Sequence, residues 1–97
     1  MLFIMDTIKI NDNTFSAYTI PTPNVSMMVI TTPKGMLACG YISVDAADKF
    51  GDALAIVRGV SSYDDMLKAK VSSVSKKAEE IGVSLGMTGE EALIKMK

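Results

Sequence analysis

The sequence predicts an α+β domain: a mainly antiparallel sheet of about five strands from the N-terminal half, packed by three to four short helices from the C-terminal half. Three observations carry that expectation. Strand-like alternation dominates residues 2–42, helix caps begin at Asp45, and 97 residues are one domain's worth, spanning 1–97.

Residues 2–10 alternate, with Leu2, Ile4, Ile8 and Ile10 on one face, interrupted by Asp6. Asn11-Asp12-Asn13 supplies a turn, because these side chains bond their own backbone and tolerate left-handed φ. Residues 14–20 return, with Phe15 and Ala17 opposed to Tyr18 and Ile20, so the pair reads as a hairpin. Pro21-Thr22-Pro23-Asn24 stops pairing and leads into a third strand over 25–32. Pro33-Lys34-Gly35 reverses the chain into a fourth strand over 36–42, Pro33 fixing φ and Gly35 being free to take a positive one. Met36, Ala38, Gly40 and Ile42 share one face of that strand, and Leu37, Cys39 and Tyr41 the other. A strand with two apolar faces is normally covered on both. Four strands joined by short turns predict an antiparallel meander.

Asp45 is placed to cap a short helix through Phe50, with Gly51 as its stop. Ala53–Val57 reads as a fifth strand whose neighbour is open. Ser61 and Ser62 stand at capping-box spacing from Asp64 and Asp65, opening a helix through Leu67 to Ala69. Val74, Ala78 and Ile81 recur at i, i+4 and i+7, with Lys76, Lys77, Glu79 and Glu80 opposite and Gly82 as a stop. Thr88-Gly89-Glu90-Glu91 forms another capping box, and the helix it opens runs to about Met96 and buries Ala92, Leu93 and Met96. The helices are expected on one face of the sheet. The apolar side chains left on the other predict either a dimer across the sheet or a second cover from the early hairpin.

Composition removes several functions. Ten basic and eleven acidic residues leave a net charge of −1, without the basic face a nucleic-acid binder needs. Histidine is absent, which removes serine–histidine and cysteine–histidine nucleophile pairs and the commonest metal ligand. One cysteine, Cys39, allows neither an internal disulfide nor a cysteine metal cluster, and a lone thiol suits a reducing compartment. No stretch has membrane-spanning length, and Met1–Met5 lacks a basic flank and a cleavage site. A cytoplasmic protein is therefore expected, with no cofactor, no metal, no nucleic acid and no membrane. Hydrophobic residues at 48% with eight methionines are high for a small domain and point to a homodimer or higher homo-oligomer.

Few residues remain to carry chemistry. Cys39 is a candidate nucleophile with Lys34 or Arg58 as electrophilic helper, against its reading as a small buried hydrophobe. Arg58 and Gly59, at a strand end, are candidates for ligand contact, because loops at strand ends commonly hold sites. Gly86, Thr88 and Gly89 lead into a helix whose free N–H groups suit an anion or nucleotide, against their reading as helix stop and helix start. Asp45 and Asp48 suit a helix N-terminus better than a magnesium ion. The preferred expectation is a non-enzymatic, self-associating domain that binds a small molecule or a protein. The alternatives are a small enzyme using Cys39 and an anion binder at Gly86–Gly89.

Gly35-x-Leu37-x-Cys39-Gly40, Gly59-Val60 leading into Asp64-Asp65-Met66-Leu67-x-Ala69, and Gly86-Met87-Thr88-Gly89-x-Glu91-Ala92-Leu93 together resemble the YunC-like family of small bacterial and archaeal domains of unknown function. The likeness covers residues 30–97, and its last segment is the most specific. Ser61 stands where the family is expected to carry a basic residue. The resemblance implies a single cytoplasmic α+β domain and carries no reaction or cofactor.

Overall fold

The computed structural model describes residues 4–24 and 26–97. The expected positions of Leu2 and Val25 lie outside them. Six strands form one sheet in sequence order: β1 (Ile4–Ile10), β2 (Asn13–Pro21), β3 (Ser26–Thr31), β4 (Gly35–Ala38), β5 (Ala53–Ile56) and β6 (Ser73–Val74). The first four make the expected antiparallel meander, with Ile8 opposite Phe15, Tyr18 opposite Val29 and Ile30 opposite Leu37. Asn11 turns the first hairpin at φ 56°. The second turn is held by Thr32, whose Oγ1 accepts from the N–H groups of Lys34 and Gly35 and donates to the Met96 carbonyl.

The fifth strand joins β4, and it does so in parallel, Ala38 lying beside Ile56. A parallel partner needs a crossover, and helix α1 (Val44–Phe50) provides it, stopping at Gly51 in the left-handed region (φ 76°). Ser43 occupies the N-cap position, and Asp45 sits in the first turn instead of capping. Helices α2 (Tyr63–Lys68), α3 (Lys76–Glu80) and α4 (Gly89–Met96) follow, each capped by the side chain of the preceding Ser or Thr.

One expectation on the layers is corrected. The helices do not share one face. Ala47 of α1 packs with Ala38, Leu54 and Ile56, whereas α2, α3 and α4 cover Leu37, Ala55 and Val57 on the other side. Alternation along β5 makes both possible, since all four of its residues are buried. The strand count is six, because Val74 leaves the helical pattern and pairs with Ala55. Ser75 then turns the chain into α3. It is fully buried, accepts from the N–H groups of Leu54 and Ala78 and donates to the Asp52 carbonyl.

The main core joins the meander to the later helices through Phe15, Ile30, Leu37, Met66, Leu93 and Met96. Gly35 serves close packing and does not take a positive φ: a Cβ there would stand 2.6 Å from the Ala53 carbonyl oxygen and 2.8 Å from Met96 Sδ.

Candidate functional site

The parallel pair β4–β5 places the site. Beyond the carboxyl end of β4 the chain turns through Cys39, Gly40 and Tyr41 toward α1 on one face. Beyond the carboxyl end of β5 it turns through Arg58, Gly59 and Val60 toward α2 on the other. Two adjacent parallel strands whose exits diverge to opposite faces leave a crevice between them, the position at which open α/β sheets bind ligands. Here that crevice is a cleft of about 400 Å³, lined by Ser26, Cys39, Gly40, Tyr41, Arg58, Gly59 and Val60.

Its floor and rim differ in chemistry. Cys39 is buried and ends the β4 ladder: its N–H donates to the Met28 carbonyl, and its Sγ accepts the Met28 N–H at 3.4 Å. It therefore follows the strand and is not at mid-strand. Val57 continues the parallel ladder by donating to the Ala38 carbonyl, so Cys39 and Arg58 leave the sheet side by side. The Arg58 side chain folds over Gly40, where an added Cβ would meet Nη1 at 2.9 Å and Cγ at 3.7 Å. Gly59 has φ 71°, a turn that L side chains adopt at a cost. Tyr41 is exposed, and its hydroxyl lies 3.5 Å from Thr22 Oγ1. Arg58 is the chain's single arginine. The cleft lining contains no carboxylate, and among the described residues the single ion pair is Lys68–Asp64 on the surface of α2.

The structure thus brings Cys39, Arg58 and Gly59 together. Lys34 is not with them: it lies in the turn before β4, at the opposite end of that strand from Cys39. Gly86, Thr88 and Gly89 also lie outside the cleft. At the start of α4, Thr88 N–H donates to the Glu91 carboxylate, Glu91 N–H donates to Thr88 Oγ1, and Gly89 N–H donates to the Ala69 carbonyl. The Glu91 carboxylate thus occupies the place an anion would take. The bonds from the Thr88 N–H and hydroxyl hold its pKa below the ordinary 4.5. Gly89 is buried, and a Cβ there would collide with the Met66 carbonyl. Asp48 accepts from the Lys76 N–H at the start of α3, and among the described residues no group of three or more acids and thiols converges as a metal site.

Sequence reasoning offers Lys34 or Arg58 as the helper of Cys39 and has no means of choosing between them; the long-range parallel pairing of β4 with β5 sets Arg58, and not Lys34, beside it. Ser26 and Tyr41 were not seen as site residues, and nothing local marks them.

Comparison with known proteins agrees on the extent of the fold. A domain of unknown function, DUF1805, matches residues 38–96, more than half of the chain, starting at the last residue of β4. The Bacillus subtilis (strain 168) protein described as uncharacterized protein YunC is 33% identical over 93 residues, covering 92% of each chain. The crystal structure of a protein of unknown function, TA1206 from Thermoplasma acidophilum, superposes with a TM-score of 0.93 at 29% identity, over 99% of this chain and 94% of that one. The likeness therefore extends through the meander as well as the segments after residue 30. This chain belongs to the DUF1805 family, and to its YunC-like members.

Proposed function

We propose that this domain binds a small anionic molecule in the cleft between the ends of β4 and β5, without transforming it, and that it does so as a cytoplasmic homo-oligomer. One observation carries the ligand reading: the chain's single arginine stands over Gly40 in a cleft lined by no acid. A guanidinium offers a planar fork that fits a carboxylate or phosphate oxygen pair. Ser26 and Tyr41 add hydroxyls at the rim, while Val60 and Cys39 supply an apolar wall for the rest of the ligand. One cation in the lining favours a ligand with a single negative charge. A charge-assisted bond of this kind contributes about 1.5–3 kcal/mol. Arg58→Ala is therefore expected to weaken binding about 10- to 100-fold.

The test is a thermal-shift panel of small carboxylates and phosphates, repeated on Arg58→Ala and Arg58→Lys. A ligand at 100 times its Kd adds about 2.7 kcal/mol, which raises the Tm of a domain this size by about 10 °C or more. If no member raises the Tm, or if Arg58→Ala responds as the wild type does, the reading fails.

A second reading, a cysteine-dependent enzyme, is favoured by the placement of Cys39 in the same cleft as a guanidinium. A thiol nucleophile needs a group to take its proton or a cation to hold the thiolate. The lining supplies the cation and no base. Iodoacetamide labelling against pH separates the two: a thiol inert until the protein unfolds leaves binding as the function, and rapid labelling at neutral pH moves the assignment to catalysis.

A further inference from the structure

The cleft at Arg58 has a neighbour. A groove of about 260 Å³ runs between α1 and the strands beneath it, walled by Met36, Ile42, Ala47, Phe50 and Leu54. Tyr41 lines both cavities, so that exposed side chain is the partition they share. Its hydroxyl reaches Thr22 Oγ1 at 3.5 Å, a long bond that costs little to break.

Both cavities open on the same side of the sheet. Leu54 and Ile56 of β5 face α1, whereas Val57 faces the opposite core. Alternation carries Arg58 back to the α1 side. Gly40 follows Ala38 in the same way, and the Arg58 side chain folds over it. The guanidinium therefore stands at the head of the rows whose earlier members, Met36 and Leu54, floor the groove.

We propose that cleft and groove form one site, and that its ligand is an aliphatic monocarboxylate of medium length. The carboxylate sits on Arg58, and the alkyl chain passes Tyr41 into the groove. The inference rests on the Arg58 reading above and deepens it by naming the ligand class.

Charge and length choose that ligand. Arg58 is a cation at one end, and the walls beyond it are apolar. Asp52 lines the far end, at the opposite end of β5 from Arg58 and about 20 Å from it at about 3.3 Å per residue. An acid there repels a second anionic group and confines the negative charge of the ligand to the Arg58 end. Lys49, whose Nζ lies 5.9 Å from the centre of the Phe50 ring, is outside the lining. Along α1, seven residues give about 10 Å of apolar wall, more than a carboxylate as short as acetate can fill. Phe50 is 74% exposed, and a chain in the groove takes its ring out of water.

The test is titration calorimetry of the full chain with butanoate, hexanoate, octanoate and decanoate. Each added methylene should tighten binding about two- to fourfold, the range from half to full burial. Octanedioate should bind at least about 10-fold more weakly than octanoate. Ala46→Glu sets a carboxylate on the exposed rim of the groove. In that variant decanoate should bind no tighter than butanoate, and butanoate should bind as it does to the wild type. Arg58→Ala should weaken every member by one common factor and leave the gain per methylene in place. If no member binds, the Arg58 reading falls and this inference falls with it. If all members bind with one affinity that Arg58→Ala lowers, the Arg58 reading stands and this inference alone is overturned. A gain with chain length that Ala46→Glu leaves intact overturns it too, as does octanedioate binding as tightly as octanoate.

Discussion

Replacing Gly89 with alanine tests the packing at the start of α4. By helix propensity alone alanine should be better than glycine there, by up to about 1 kcal/mol. The backbone does not require glycine either, since Gly89 is absent from the left-handed set of Gly51, Gly59, Gly82 and Gly86. Packing decides the other way. A Cβ at Gly89 would lie 2.0 Å from the Met66 carbonyl oxygen, 3.0 Å from its carbonyl carbon and 2.9 Å from Leu37 Cδ2. Ordinary contact begins at 3.4 Å, so α4 must retreat from α2 by about 1.4 Å (3.4 − 2.0). The obstacle is main chain on a helix whose own packing is set by Met66, so no side-chain rotation relieves it. Overpacking costs about 1–3 kcal/mol in general, and a main-chain obstacle belongs at the upper end. After the propensity gain, Gly89→Ala should lose about 2 kcal/mol. In urea this lowers the midpoint by about 1 M, and on heating it lowers the Tm by about 10 °C. Gly86→Ala is the control. Its φ is 88° with open space around it, so it carries backbone strain of about 1–2 kcal/mol and no collision. A Gly89→Ala protein as stable as the wild type would refute the packing argument and return this segment to its reading as an anion site.

Three further outcomes are expected. Leu93→Ala, at a fully buried position of α4, should cost about 2–5 kcal/mol, most of the stability of a small domain; a loss under about 1 kcal/mol by urea titration would mean that the helix does not close the core. Gly40→Ala pushes against the far end of the exposed Arg58 side chain, so stability should stay within about 0.5 kcal/mol, while anion affinity in the panel falls about 10-fold as the guanidinium swings away; unchanged affinity would detach Arg58 from the ligand. Glu91 and Asp65 have pKa values held below their ordinary 4.5 and 3.8, chiefly by the backbone N–H groups of Thr88 and Ser61. A depressed folded pKa gives stability that is present above the ordinary value and is lost as pH falls through the folded one. Tm measured from about pH 6 to pH 3 should therefore drop at the acid end, and Glu91→Gln should drop less steeply; parallel curves would contradict the capping box.

The sequence by itself determined whatever a few adjacent residues can complete. The Thr88–Glu91 and Ser62–Asp65 caps, the left-handed stops at Gly51 and Gly82 and the turn at Asn11 close their bonds within about four positions, so their residue types are sufficient evidence. The meander was legible for the same reason: short turns leave neighbouring strands little choice of partner. Tertiary structure decided the rest. Ala53–Ile56 is apolar on both faces, so no periodicity could say which neighbour it joins or which helix covers which side. Val74 fits a helical repeat with Ala78 and Ile81, and became a strand only because the edge of β5 offered bonds to its backbone. The cleft follows from both: Cys39 and Arg58 are 19 positions apart, and they meet because β4 and β5 run in parallel and part to opposite faces. Contacts between distant segments depend on the whole core being assembled, and that cooperative packing is information no local window of residues contains.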